Sequence, residues 1–276
     1  MIRERAPAKV NLVLQVGPAR PDALHEICSI FASLELHDEL TFLATDHGTD
    51  EVRCPPVEAP NLVEAALRLF RERVDGGLPG LEVSIEKRIP VAAGLGGGSA
   101  DAAAALRAAN ELAGRPLGPA GLRALSSELG ADVPSQVEPG HALVSGAGER
   151  VEPLRLPAMG LVLVPSDEGL STADVYREAD RIGSTRERLD PSVLRGLAGG
   201  GLTALAAGVE NDLQPAALSL RPEIGEVIAR LREAGALAAG VSGSGPTAFG
   251  VFSGPATAER AATVVPGAIA TRLRPS

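Results

Sequence analysis

The run Gly94-Leu-Gly-Gly-Gly-Ser99 has the clearest physical means of holding a ligand. Without Cβ atoms the backbone can come close to phosphate oxygens, successive N–H groups can converge on them, and the helix predicted to follow adds its dipole. The competing reading is an ordinary turn with Ser99 as the helix N-cap. No lysine follows the glycines, so this is not a P-loop. Beyond them comes helix, then Gly114-Arg-Pro-Leu117, rather than a strand ending in an acidic residue, which weakens a dinucleotide fingerprint.

Two further residues suit work on a phosphoryl group. Of the 26 Lys and Arg residues only Lys9 and Lys87 are lysines. A position kept as lysine in such a chain suits a place that needs a compact ammonium rather than a forked guanidinium. Lys87, at a predicted strand end, reads as a solvated cation. Asp132 lies between the helix stop Gly130 and Pro134. It is either a turn or helix cap or, given an ammonium partner, a base that takes the proton of a hydroxyl attacking phosphorus. Lys9 is the candidate partner.

The elements that must position these residues follow from periodicity. Residues 9–16 alternate, placing Val10, Leu12, Leu14 and Val16 on one strand face and Lys9, Asn11, Val13 and Gln15 on the other. Residues 27–42 read as strand interrupted near His37-Asp38. A helix is predicted over 61–73 with Asn61 as N-cap, a strand over 81–85, an alanine-rich helix from about 99 to 113 and another from about 119 to 129. Strands at 160–164 and 248–252 and a helix at 222–233 follow. A Pro-punctuated stretch near 150–157 suggests a division into residues 1–152 and 153–276. The mixture, without regular βα alternation, indicates an α+β class.

Composition narrows the function. With 35 Asp and Glu the net charge is −9, and the chain has no Trp and one Tyr, Tyr176. That excludes a basic, aromatic nucleic-acid surface. No stretch is apolar enough to span a membrane, and Cys28 and Cys54 suggest neither a disulfide framework nor a metal site. A soluble, untargeted, cytoplasmic chain is expected, working as a monomer or weak homodimer.

Several segments together carry a resemblance. Pro90-x-x-x-Gly94-Leu-Gly-Gly-Gly-Ser99-Ala-Asp is similar to the phosphate-binding motif of the GHMP kinase superfamily, and Ser242-Gly-Ser-Gly-Pro-Thr247 to its C-terminal glycine motif. Ala6-Pro-Ala-Lys9-Val-Asn11-Leu12, Asn61-Leu62, Gly130-Ala-Asp132-Val-Pro134 and Asn211-Asp-Leu213 resemble, in the same order, the branch acting on 4-diphosphocytidyl-2-C-methyl-D-erythritol. The likeness covers nearly the whole chain. It implies an N-terminal ATP-binding domain of the ribosomal-protein-S5-like domain 2 type, a ferredoxin-like C-terminal domain, and the cofactors ATP and Mg²⁺.

By that resemblance Lys9 and Asp132 are the catalytic pair, and Asn11 helps position substrate. Pro90, Val91, Ala92, Ala93, Gly94, Leu95, Gly96, Gly97, Gly98, Ser99 and Ala100 form the ATP phosphate loop, with Asn61 and Leu62 near adenine. His25 hydrogen-bonds cytosine and Tyr176 lies beside it; the alternatives are a surface histidine and a core tyrosine. Where the family has Asp-Gly-Tyr-His, this chain has Asp22-Ala23-Leu24-His25, so one base-stacking face is missing. A loss on the order of 1–3 kcal/mol at the cytidine site is expected. The alternatives are a homoserine- or mevalonate-type kinase of the same superfamily and a nucleotide-binding module without catalysis.

Overall fold

The alternation over residues 9–16 extends, in the computed structural model, into one long strand, β1 (Ile2–Ala19). The structure describes residues 1–22, 24–46, 48–55, 57, 61–75, 77–166 and 168–275. Both faces of β1 are covered through its middle, so Lys9, Asn11 and Gln15 are buried polar residues rather than a solvated edge. The second strand, β2 (His25–Thr45), runs through His37-Asp38 without the expected interruption. Asp38 does not turn the chain there. Its side chain is fully buried and accepts hydrogen bonds from the backbone N–H groups of Arg88 and Ile89.

Two compact units interleave along the sequence. The first comprises Met1–Ala8, Leu36–Val91 and Gly96–Pro139, and the second Lys9–Glu35, Ala92–Leu95 and Gly140–Ser276. Strands β1 and β2 contribute to both.

In the first unit β3 (Glu51–Arg53) pairs parallel with β4 (Gly80–Glu86), which pairs antiparallel with Glu39–Thr45 of β2. Helix α1 (Leu62–Arg73) is capped as expected, the Asn61 side chain accepting from the N–H groups of Val63 and Glu64. Helix α2 (Gly97–Leu112) buries an almost unbroken run of alanines. A helix apolar around most of its circumference must lie inside a core, and the short methyl side chains let α1 and α4 (Val133–Val137) pack closely upon it. Helix α3 (Pro119–Ser126) stops earlier than its sequence pattern suggests. Phe42, Phe70 and Leu106 are fully buried in this core.

The second unit carries the hairpin partners β5 (Ala142–Gly146), paired with Ile27–Phe31 of β2, and β6 (Arg150–Pro153). Strand β7 (Gly160–Val164) and helices α5 (Thr172–Ile182), α6 (Pro191–Gly199) and α7 (Gly201–Ala207) follow. Next come β8 (Glu210–Asn211), parallel to β1, and helices α8 (Gln214–Leu220) and α9 (Glu223–Glu233). Strands β9 (Ala238–Val241) and β10 (Ala248–Phe252), helix α10 (Pro255–Ala262) and strand β11 (Ile269–Arg272) close the chain. A four-stranded antiparallel sheet runs β11-β7-β10-β9, with Phe252, Ile228 and Leu231 in the core on one face. Among the described residues no helix is long and apolar enough to cross a membrane.

Phe70→Ala removes a fully buried ring from the first unit and is expected to cost about 3–5 kcal/mol in denaturant unfolding. Leu43→Ala, at a side chain 39% exposed, is expected to cost less than about 1.5 kcal/mol in the same measurement.

Candidate functional site

In the second unit the Lys9 ammonium donates to Asn11 Oδ1 at 2.7 Å and lies 4.8 Å above the Phe31 ring. The Asn11 amide then donates to Ser29 Oγ at 2.9 Å, and Ser29 to the Val13 carbonyl at 2.6 Å. A chain of neutral acceptors therefore fixes the strand-face neighbours Lys9 and Asn11. Backbone bonds tie them to both glycine motifs: Lys9 N–H reaches Leu95 O at 2.9 Å, and Asn11 N–H reaches Ser242 Oγ at 3.3 Å. The Ser242 hydroxyl donates to Gly94 O at 3.2 Å. At Gly94, with φ +73°, a Cβ would come 2.6 Å from Gly245 O and 2.8 Å from Ser242 O. Only glycine allows the two loops to pass this closely.

In the first unit α2 begins at Gly97, with Gly96 as its N-cap in the left-handed region at φ +71° and no side chain bonding its end. The competing reading of Ser99 as the cap does not hold: Ser99 sits inside the first turn, because Gly96 can adopt the conformation that starts the helix. Helix geometry leaves the amides of Gly97, Gly98 and Ser99 without intrahelical acceptors, and they form a cluster of donors at a positive helix end. Leu62, next to the capping Asn61, comes within 3.6 Å of where a Cβ on Gly98 would stand. Pro90 and Val91 belong to this unit, and Ala92, Ala93, Gly94 and Leu95 to the other. Asp132 precedes α4, and its side chain makes no capping hydrogen bond.

A separate cluster in the second unit joins His25 and Tyr176, whose ring centroids are 5.0 Å apart. Nε2 of His25 is 2.9 Å from Asp180 Oδ1. Leu24, which precedes His25 in the chain, is 50% exposed, and Ala23 lies outside the described residues. Tyr176, on α5, also touches the core formed by Val16, Ile27 and Val175.

Comparison with known proteins adds the family. Residues 61–140 match the GHMP kinases N terminal domain and residues 193–269 the GHMP kinases C terminal domain. A 4-diphosphocytidyl-2-C-methyl-D-erythritol kinase from Pelotomaculum thermopropionicum is 44% identical over 257 residues, covering 91% of this chain and 89% of the relative. The chain belongs to the 4-diphosphocytidyl-2-C-methyl-D-erythritol kinase family. It is a small-molecule kinase with the two-domain α+β fold of the GHMP kinases. A crystal structure of 4-(cytidine 5'-diphospho)-2C-methyl-D-erythritol kinase superposes with a TM-score of 0.85 at 35% identity, covering 100% of both chains. Homoserine kinase from Cytophaga hutchinsonii superposes at TM-score 0.75 with 20% identity, covering 99% of this chain and 94% of its own. That second likeness is one of fold alone and does not favour the homoserine-type alternative.

The structure corrects one sequence expectation in this family member. Lys87 is not solvated: its side chain is 8% exposed, and its ammonium lies 2.5 Å from Asp38 Oδ2 and 2.7 Å from Asp101 Oδ2. Burial works against its charge, but Asp101 and Asp38 outweigh it and hold the ammonium above the ordinary lysine value. Reasoning from the sequence also missed Ser29, and it named Ser242 and Asn211 only as members of motifs, without a role. Asn211, in a motif already noted, donates to Val241 O at 2.8 Å and Gly243 O at 2.7 Å, securing the C-terminal glycine loop. Ser29 carries no signal short of the fold.

Burial pushes the Asp101 carboxyl up to about 7; Lys87 opposes that rise and the neighbouring Asp38 adds to it. The folded chain therefore binds more protons than the unfolded chain between the ordinary aspartate value of 3.8 and about 7, so stability falls as pH rises through that window. Asp101→Asn removes the titration. The wild-type melting temperature minus that of Asp101→Asn is expected to decline from about pH 4 to about pH 7; a constant difference would contradict this assignment.

Proposed function

We propose that the chain transfers the γ-phosphoryl group of ATP to the 2-hydroxyl of 4-diphosphocytidyl-2-C-methyl-D-erythritol, with Asp132 as base and Lys9 as its ammonium partner. The observation that carries this reading is the Lys9–Asn11 pair, joined side chain to side chain and bound through its backbone to both glycine motifs. An ammonium fixed at such a point stabilises an anionic partner or a developing charge. Asp132 takes the hydroxyl proton as that oxygen bonds to the γ-phosphorus and the bond from the γ-phosphorus to the bridging β-oxygen breaks, releasing ADP. Asn11 orients the acceptor.

The ATP phosphates lie on the amides of Gly97, Gly98 and Ser99 within the loop from Pro90 to Ala100, and Asn61 and Leu62 flank the adenine. His25 and Tyr176 receive the cytosine. These roles do not divide cleanly into residues 1–152 for ATP and 153–276 for substrate, since Asn11 and His25, read as substrate contacts, lie before residue 152. Among the described residues no three His, Cys, Asp or Glu side chains cluster as a metal cage. Mg²⁺ that takes most of its oxygens from nucleotide phosphates and water needs no such cage. The hydroxyl of Ser99 is a hard oxygen donor that fits it. When bound, Mg²⁺ neutralises charge on the phosphates during transfer. A cytoplasmic location accords with this chemistry.

Asp132→Asn is expected to lower kcat by about 10²–10⁴-fold while leaving ATP affinity within a few-fold by calorimetry. Activity within a few-fold of wild type would remove Asp132 from the base role. Leu24→Tyr restores an aromatic face, and the KM for the cytidyl acceptor is expected to fall about tenfold with that for ATP unchanged. An unchanged acceptor KM would place the base away from His25 and Tyr176.

A further inference from the structure

Three elements meet at the base of the glycine loop. Asp38, on β2, accepts through Oδ1 from the N–H groups of Arg88 at 2.6 Å and Ile89 at 2.8 Å, the residues by which the chain enters the loop. Its Oδ2 receives the Lys87 ammonium at 2.5 Å. The same ammonium reaches Asp101 Oδ2 at 2.7 Å, one turn into the helix by which the chain leaves the loop. All three side chains lie within the first unit and are nearly excluded from solvent.

We propose that Lys87 is a positioning residue for the phosphate loop: by bridging Asp38 and Asp101 its ammonium fastens the loop's entry strand to its exit helix. The contact is close to the ligand-facing amides without being one of them. A Cβ on Gly97 would stand 3.1 Å from Ile89 Cγ2 and 3.4 Å from Lys87 Nζ, so the first helical residue rests directly against the clamp. Among the described residues Asp101 Oδ1 has no hydrogen-bond partner, and Lys87 holds the carboxylate through Oδ2. A buried carboxylate depends heavily on the partners it has. If the bridge is lost, the start of α2 can shift against the loop, and the amides of Gly97, Gly98 and Ser99 no longer converge on one point. Small misplacements of positioning groups have large kinetic effects. The effect falls on ATP, because the clamp holds the loop read as the ATP site, whereas His25 and Tyr176 belong to the other unit.

The inference rests on the reading of Pro90–Ala100 as the ATP loop. Steady-state kinetics with ATP and the cytidyl acceptor varied separately, together with melting temperatures, test it on Lys87→Met, Asp101→Asn and a loop probe, Gly98→Val. Lys87→Met is expected to raise the KM for ATP at least tenfold and Asp101→Asn, which keeps the Lys87–Asp38 pair, at least threefold. The acceptor KM should stay within threefold in both. A lower melting temperature with unchanged KM for ATP would reduce Lys87 to a purely structural role and overturn the proposal. Should Lys87→Met fail to fold, Asp101→Asn decides by the same criterion. If Gly98→Val raises the KM for ATP and the clamp variants do not, the positioning role alone fails. If Gly98→Val also leaves it unchanged, the loop reading fails and the clamp with it.

Discussion

An ammonium taken out of water must be given oxygens in return, and both lysines of this chain are placed under that constraint. They meet it through different partners. Lys87 is matched by two carboxylates, which absorb its charge and turn it into a fastening between elements. Lys9 donates to the oxygen of Asn11, two residues along the same strand, which fixes the position of the ammonium. A compact ammonium suits both places, since a guanidinium would need a larger, planar space at 2.5–2.7 Å contact distances.

The glycine loop depends on these two placements. Its entry and exit are tied in the first unit by Asp38, Lys87 and Asp101, while Leu95 and Gly94 accept from Lys9 N–H and Ser242 in the second. The loop's freedom of conformation, which glycine supplies, is thus taken up by fixed contacts on each side. What remains is the start of α2, whose N-cap residue Gly96 supplies no side-chain cap to the amides. An acidic chain can bind a polyphosphate at such a point because the local field of oriented N–H groups, rather than net charge, decides the potential a few ångströms away.

Much of this was legible in the sequence, and the exceptions have physical causes. The Asn61 cap, the alanine helix and the pairing of Lys9 with Asn11 on one strand face follow from local chemistry and period, and all are present. The break expected at His37-Asp38 was an error of the same local logic: a polar pair inside a strand suggests a turn, unless a distant segment brings the donors that an aspartate needs. Arg88, Ile89 and Lys87 are those donors, 49 to 51 residues away. For the same reason Lys87 was read as solvated. The scarcity of lysine that singled out Lys9 applied equally to Lys87, but its partners become neighbours only through the fold. The competing reading of Ser99 as a cap follows from serine being a favoured N-cap, whereas Gly96 takes that place because it reaches the left-handed region at no steric cost.

The central claim is that this constellation transfers a phosphoryl group to one particular hydroxyl. Phosphorus NMR of the products formed from ATP and 4-diphosphocytidyl-2-C-methyl-D-erythritol, with homoserine and mevalonate as parallel acceptors, addresses it directly. The account predicts ADP together with one new phosphate monoester resonance, coupled to the position of the 2-hydroxyl of the cytidyl substrate, and no ester with the other two. An ester on homoserine or mevalonate, with the cytidyl compound unchanged, would contradict it.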